Sequence, residues 1–322
     1  MHSKRLAVFS GGVLGYNLLV ILWGAYVRST KSGAGCGGHW PLCNDEVLPT
    51  APALATIIEF THRLTSGFAL ILVLATLVWA LRVYPKKHWV RFGAKLSVFF
   101  MLTEALVGAG LVLFELVAEN KSIARALFMS VHLINTFLLL LSLTLTAWWA
   151  AGGSGLRLRS RLSGMLIFNL IILLILGVSG AVTALGDTLF PATSLAQGLS
   201  QDFSPTAHLL LRLRFLHPFI AVISVAYTIF TARFTYRSYP NKQSQYFAAA
   251  PIFIAISQLA LGVLNVYLLA PIWLQLVHLF VADLMWVAVV LLGANALSQP
   301  LVSASLSSGK LTFDNVGEKA PA

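Results

Sequence analysis

The chain has 322 residues, of which 58% are hydrophobic and only 10% charged, with a formal net charge of +11. A soluble domain carries about a quarter charged residues, so this composition excludes a water-soluble protein and predicts an all-α integral membrane protein. The basic excess does not indicate nucleic acid, because Lys and Arg fall at the ends of apolar runs, where membrane topology accounts for them.

Eight apolar stretches are long enough to cross a bilayer, at about 6–27, 58–81, 92–114, 125–149, 162–185, 209–233, 247–270 and 272–296. The first is too long for the apolar core of a cleavable signal and reads as an uncleaved span. Ala270-Pro271 marks a tight turn between the last two spans. The segment 298–322, rich in Ser, Gly, Lys and Glu, reads as a disordered tail. Lys4, Arg5, Arg82, Lys86, Lys87, Arg91, Lys95, Arg157, Arg159, Arg161, Arg233, Arg237 and Lys242 cluster on one side, with most acids on the other. The positive-inside bias predicts a multi-pass protein of the plasma membrane with both termini cytoplasmic.

The halves repeat. Span two, "EFTHRLTSGFALILVLATL", resembles span six, "LRFLHPFIAVISVAYTIF"; span four, "LFMSVHLINTFLLLLSLTL", resembles span eight, "WLQLVHLFVADLMWVAVVLL". Glu104-x-x-x-Gly108 in span three corresponds to Gln258-x-x-x-Gly262 in span seven. Each half has an even number of spans, so the copies enter the membrane in the same sense. The expected architecture is two tandem pseudo-symmetric four-helix bundles, residues 1–150 and 151–297.

Each even-numbered span carries one histidine in its outward third: His62, His132, His217 and His278. His62 reads as about one turn into its helix and the others about two, on the order of 6–12 Å below the outer surface. Any one of them alone reads equally as a hydrogen-bond partner of a neighbouring carbonyl. Four at matched depth, two per half, instead suit facing helices that clamp an iron porphyrin between imidazoles. Zinc is disfavoured because neither pair has a full tetrahedral set, although Glu59 could join His62 and His132.

Glu59 lies three residues before His62, on the same helical face; the corresponding place before His217 holds Arg214. That asymmetry suggests chemistry in the first half and an electron-transfer group in the second. The competing reading of Glu59 is a solvated interface residue paired with Arg63. Cys36 and Cys43, in a glycine-rich outer loop, are close enough in sequence for a small disulfide, with a reactive dithiol as the alternative. Arg28, Arg63, Arg125, Arg212 and Arg214 lie at outer span ends, where some could anchor anionic propionates; plain interfacial solvation is the alternative for each. Asp283, beyond His278, reads as an interhelical hydrogen-bond partner.

"GAYVRSTKSGAGCGGHWPLC", followed by "EFTHRLTSG" and single histidines in spans four, six and eight, resembles the bacterial haem A synthase family with a cysteine pair in the first outer loop. The resemblance covers about Leu6 to Leu297. It implies a membrane oxidoreductase that converts the C8 methyl of haem O to a formyl group, giving haem A for terminal oxidases. It further implies that His62 and His132 hold the substrate haem O and that His217 and His278 ligate a haem b cofactor. By the same similarity Glu59 matches the catalytic carboxylate, and Cys36 and Cys43 the outer-loop pair. A haem O synthase and oxidase assembly factors are the partners this implies, besides membrane lipid. The alternatives are a two-haem b membrane cytochrome exchanging electrons with quinone, and a transporter, which repeats also permit.

Overall fold

The computed structural model describes residues 3–50, 52–158 and 160–298. Arg159 and the tail from 299 onward lie outside the described residues. The described residues form ten α-helices and one 3-10 turn. In order they are α1 (Lys4–Ser29), the turn Ser32–Ala34, α2 (Leu54–Val83), α3 (Trp89–Leu113), α4 (Ile123–Ala150) and α5 (Arg161–Leu189). There follow α6 (Leu195–Phe203), α7 (Leu209–Arg214), α8 (His217–Ser238), α9 (Lys242–Tyr267) and α10 (Ile272–Ser298). With α7 and α8 taken as one span, eight segments are long and apolar enough to cross a membrane, and the chain is an all-α integral membrane protein.

Several boundaries differ from the sequence expectation for local reasons. Helix α2 starts at Leu54, ahead of the apolar run, because Thr56 satisfies its hydroxyl on the Gly35 carbonyl at 2.7 Å and the first turn is held against the preceding loop. The sixth span is not one regular helix. Pro218 lacks an N–H and crowds the carbonyl four residues back, so the helix is interrupted at Phe215–Leu216 and resumes at His217. The loop after α5 contains α6, started by Ser194, whose hydroxyl accepts from the Gln197 N–H. The turn at Ala270-Pro271 is present, with Leu269 and Ala270 both at positive φ.

Helices α1 to α4 close a ring in which each packs on the next and α4 returns to α1; α5, α8, α9 and α10 close a second ring in the same way. The rings meet along α1, α4, α5 and α10. Leu18, Phe137, Leu140, Leu173, Leu176, Trp286 and Val289 fill that junction, and the Phe137 and Trp286 rings stack with centroids 4.7 Å apart. Outward faces are apolar and exposed, as at Phe99, Phe253 and Val263, which is the surface a bilayer covers. Inside, small polar residues join helices: Asn169 on α5 donates to Thr231 and accepts from Thr228, both at 3.0 Å.

Candidate functional site

Because the spans alternate in direction, α2, α4, α7 and α10 all begin at the end of the bundle that carries the Cys36/Cys43 loop. The four histidines lie six to nine residues beyond those starts, about 9–14 Å deep at 1.5 Å per residue. His62 is therefore deeper than expected, because α2 begins earlier. All four imidazoles are half-buried. His62 lies within electrostatic reach of His132, and His278 within reach of His217, so each ring holds one pair of neighbouring imidazoles.

A glycine on the preceding span lies against each imidazole. A Cβ on Gly24 of α1 would sit 3.0 Å from His62 Cε1, and one on Gly180 of α5 would sit 3.1 Å from His217 Cε1. The corresponding separations are 3.8 Å from Gly108 of α3 to His132 and 3.5 Å from Gly262 of α9 to His278. The helices approach closely enough for the imidazole to rest on backbone, and at Gly24 and Gly180 any side chain would displace it.

The Nδ1 atoms meet different partners. His217 Nδ1 shares a hydrogen bond with Ser179 Oγ at 2.8 Å. His132 Nδ1 lies 3.2 Å from Glu104 Oε1, at ion-pair distance but without hydrogen-bond alignment. The Nδ1 atoms of His62 and His278 are buried and bonded to nothing among the described residues. These residues would hold a haem iron through imidazole nitrogen, and the Ser179 bond at His217 Nδ1 would leave its Nε2 for that role. Half-buried imidazoles neighbouring in pairs and seated on glycine fit an iron porphyrin. Among the described residues no three His, Cys, Asp or Glu side chains converge to hold a bare metal ion, and Glu59 does not turn toward His62 and His132 as the zinc alternative requires.

Glu59 is 3% exposed, not a solvated interface residue. Its Oε2 accepts from the Cys36 backbone N–H at 2.9 Å, and its Oε1 accepts from Arg63 Nη2 at 2.5 Å and Nε at 3.2 Å. Arg63 also donates to the carbonyls of His39 and Leu42 at 2.8 and 2.6 Å. Cys36 and Cys43 form a disulfide, with both residues buried. Two side chains one turn apart on α2 thus clamp the disulfide loop over the helix. Closing a loop this short contributes roughly 2–3 kcal/mol by chain entropy.

All five arginines at the span ends make internal hydrogen bonds. Arg28 donates to the Ala184 carbonyl, Thr188 and Gln275 at 2.6, 2.9 and 3.1 Å, joining α1 to α5 and α10. Arg125 donates to the carbonyls of Ala118 and Asn120, and Arg212 to that of Pro205. Arg214 pairs with Asp187 at 2.8 Å and Asp202 at 2.6 Å, pinning α6 beside the second ring. Arg63 and Arg214 are thus committed to carboxylates, whereas Arg28, Arg125 and Arg212 make no ion pair among the described residues. Asp283, expected to bond across helices, is fully buried with neither oxygen bonded among the described residues.

Sequence reasoning missed the glycine seats, the Ser179–His217 bond and the place of Glu104 beside His132. The signal for Glu104 was present in its fixed spacing from Gly108, matched by Gln258 and Gly262.

The family model described as COX15-CtaA, cytochrome oxidase assembly protein, matches residues 7–290. The chain is 50% identical over 308 residues to two Thermus thermophilus proteins named Protoheme IX farnesyltransferase, covering 95% of this chain and 51% of theirs. It is 34% identical over 175 residues to the Heme A synthase of Exiguobacterium sibiricum, covering 53% of this chain and 57% of that protein. It is 30% identical over 277 residues to the Heme A synthase of Bacillus licheniformis, covering 82% of this chain and 86% of that protein. The chain spans about half the length of the first curated relatives it matches.

Proposed function

The chain belongs to the COX15-CtaA family of cytochrome oxidase assembly proteins, and from that premise we propose that it is a haem A synthase, a membrane oxidoreductase that converts haem O to haem A. The observation that carries this reading is the pair of neighbouring imidazoles in each helix ring, in a chain with relatives named Heme A synthase. Paired histidines suit a two-haem cytochrome equally; the relatives named Heme A synthase and the buried Glu59 in the first ring favour the synthase.

In this reading His62 and His132 hold the substrate haem O, and His217 and His278 hold haem b. Haem b at the second pair supplies one-electron transfer. Gly24 sets how far the His62 imidazole stands from α1, and so helps orient the substrate within the first ring. Glu59 provides a buried carboxylate at the loop end of that ring, held by Arg63 and the Cys36 N–H, which stabilises positive charge or holds a proton at Oε. The disulfide loop covers this carboxylate and limits access of water. Arg28, Arg125 and Arg212 are the arginines left for the anionic propionates, since Arg63 and Arg214 are already paired.

The protein lies in the plasma membrane with both termini cytoplasmic and the disulfide loop outside. Its substrate is the product of farnesyl transfer to protohaem. The Thermus relatives, in which a segment like this chain makes up about half of proteins named Protoheme IX farnesyltransferase, support a haem O synthase as partner. Oxidase assembly factors are the downstream partners.

The test is expression in a host that makes haem O but no haem A, followed by pigment extraction and chromatography. Haem A that appears only with this protein establishes the activity. Two equivalents of haem b, with haem O supplied and no haem A formed, would establish the cytochrome reading instead.

A further inference from the structure

We propose that Glu104 is a positioning residue that makes the His62/His132 pair a stronger electron donor to bound iron than the His217/His278 pair. The proposal rests on the haem reading above. Glu104 extends from α3, and its Oε1 lies 3.2 Å from His132 Nδ1. Both oxygens are fixed by residues of α4: Thr136 donates its hydroxyl to Oε1, and Asn135 Nδ2 donates to Oε2 at 2.5 Å. Asn135 is itself held by Thr103 at 2.7 Å and the Phe100 carbonyl at 2.8 Å. Among the described residues no Lys or Arg pairs with Glu104, and His132 is its one ion-pair partner.

The second ring is built differently at the same place. Gln258, four residues before Gly262, donates to the His278 carbonyl at 2.9 Å, and its own oxygen is bonded to nothing among the described residues. Among the described residues His217 Nδ1 meets the Ser179 hydroxyl and no carboxylate. The first pair therefore faces a carboxylate and the second faces neutral groups. An anionic carboxylate 3.2 Å from Nδ1 raises the basicity of the imidazole, and a more basic ligand would stabilise the oxidised state of a bound iron. The ring proposed to oxidise its substrate carries the anion; the ring proposed to pass electrons carries the amide.

The experiment loads purified full-length protein with haem and measures the midpoint potential and low-temperature EPR spectrum of each site in wild type, Glu104→Gln, Glu104→Asp and Gln258→Glu. Glu104→Gln is expected to raise the potential of the first-ring haem and shift its g values while leaving the second unchanged. Glu104→Asp should recover most of that shift, and Gln258→Glu should lower the potential of the second-ring haem. A fully loaded Glu104→Gln protein with both potentials and spectra unchanged would overturn the proposal. Should Glu104→Gln fail to load its first ring, Gln258→Glu decides: a lowered second potential supports the proposal and an unchanged one refutes it. Wild-type protein that takes no haem at His62 and His132 would sink the haem reading and this proposal with it, a failure visible before any Glu104 variant is made.

Discussion

At the scale of single residues, Glu59 shows how a short spacing becomes a site. The i, i+4 relation to Arg63 places the two charges on one turn of α2, and that pair is readable from sequence. The Cys36 N–H, 23 residues away through a glycine-rich loop, is not, because no helical periodicity links a loop amide to a helix face. Replacing the carboxylate by its amide keeps the shape and an acceptor for Cys36 while removing the charge. Glu59→Gln is therefore expected to lower haem A formation by about 10²–10⁴-fold while both rings still load haem, read by pigment chromatography beside an absorption spectrum of the same sample. Unchanged haem A yield would remove Glu59 from the chemistry. The arginines were less legible. Arg214 looked like a free cation at a span end, but Asp187 and Asp202, 27 and 12 residues away in sequence, already hold it.

At the scale of helices, apolar length located the spans, and histidine placement located the site. Composition hid two features. In α6, Leu195, Leu199 and Phe203 recur every fourth residue behind a Ser194 cap, a helical stripe within a loop whose overall polarity masks it. The glycine seats were hidden because a glycine in a membrane helix has several uses, and only the packed structure shows what rests on it. They yield a graded expectation. Gly24→Ala places a methyl 3.0 Å from His62 Cε1 and must move the ring by a few tenths of an ångström, whereas Gly108→Ala at 3.8 Å makes an ordinary contact with His132. Haem retained in the first ring should fall about tenfold in Gly24→Ala and stay near wild type in Gly108→Ala, measured by haem content per protein. Equal retention in the two variants would show that the close approach does not set the imidazole.

At the scale of the whole molecule, helix contacts close two rings of four, each on itself. What the repeat could not show is how the rings join, because the residues at the junction are not those that recur. Trp286 stacks on Phe137, and Arg28 has no counterpart at Ala184, the residue that occupies its place in the fifth span. Since each imidazole pair draws on one ring only, His217→Ala should remove the second haem and leave loading at His62 and His132 within about twofold of wild type. Haem quantitation and the difference spectrum of the variant check this; loss of both haems together would mean that the rings do not load independently.

The Arg28 contacts also have a consequence for how the chain is made. Its guanidinium leaves the ribosome well before its partners, since the Ala184 carbonyl follows 156 residues later and Gln275 247 residues later. Until α10 is in place, the nascent protein carries a cation at the end of its first span with part of its hydrogen bonding unmet, a state that is costly within a bilayer. Helix α10 therefore completes the environment of α1, and a chain that stops before α10 displays that deficit to the machinery that inspects unfinished membrane proteins.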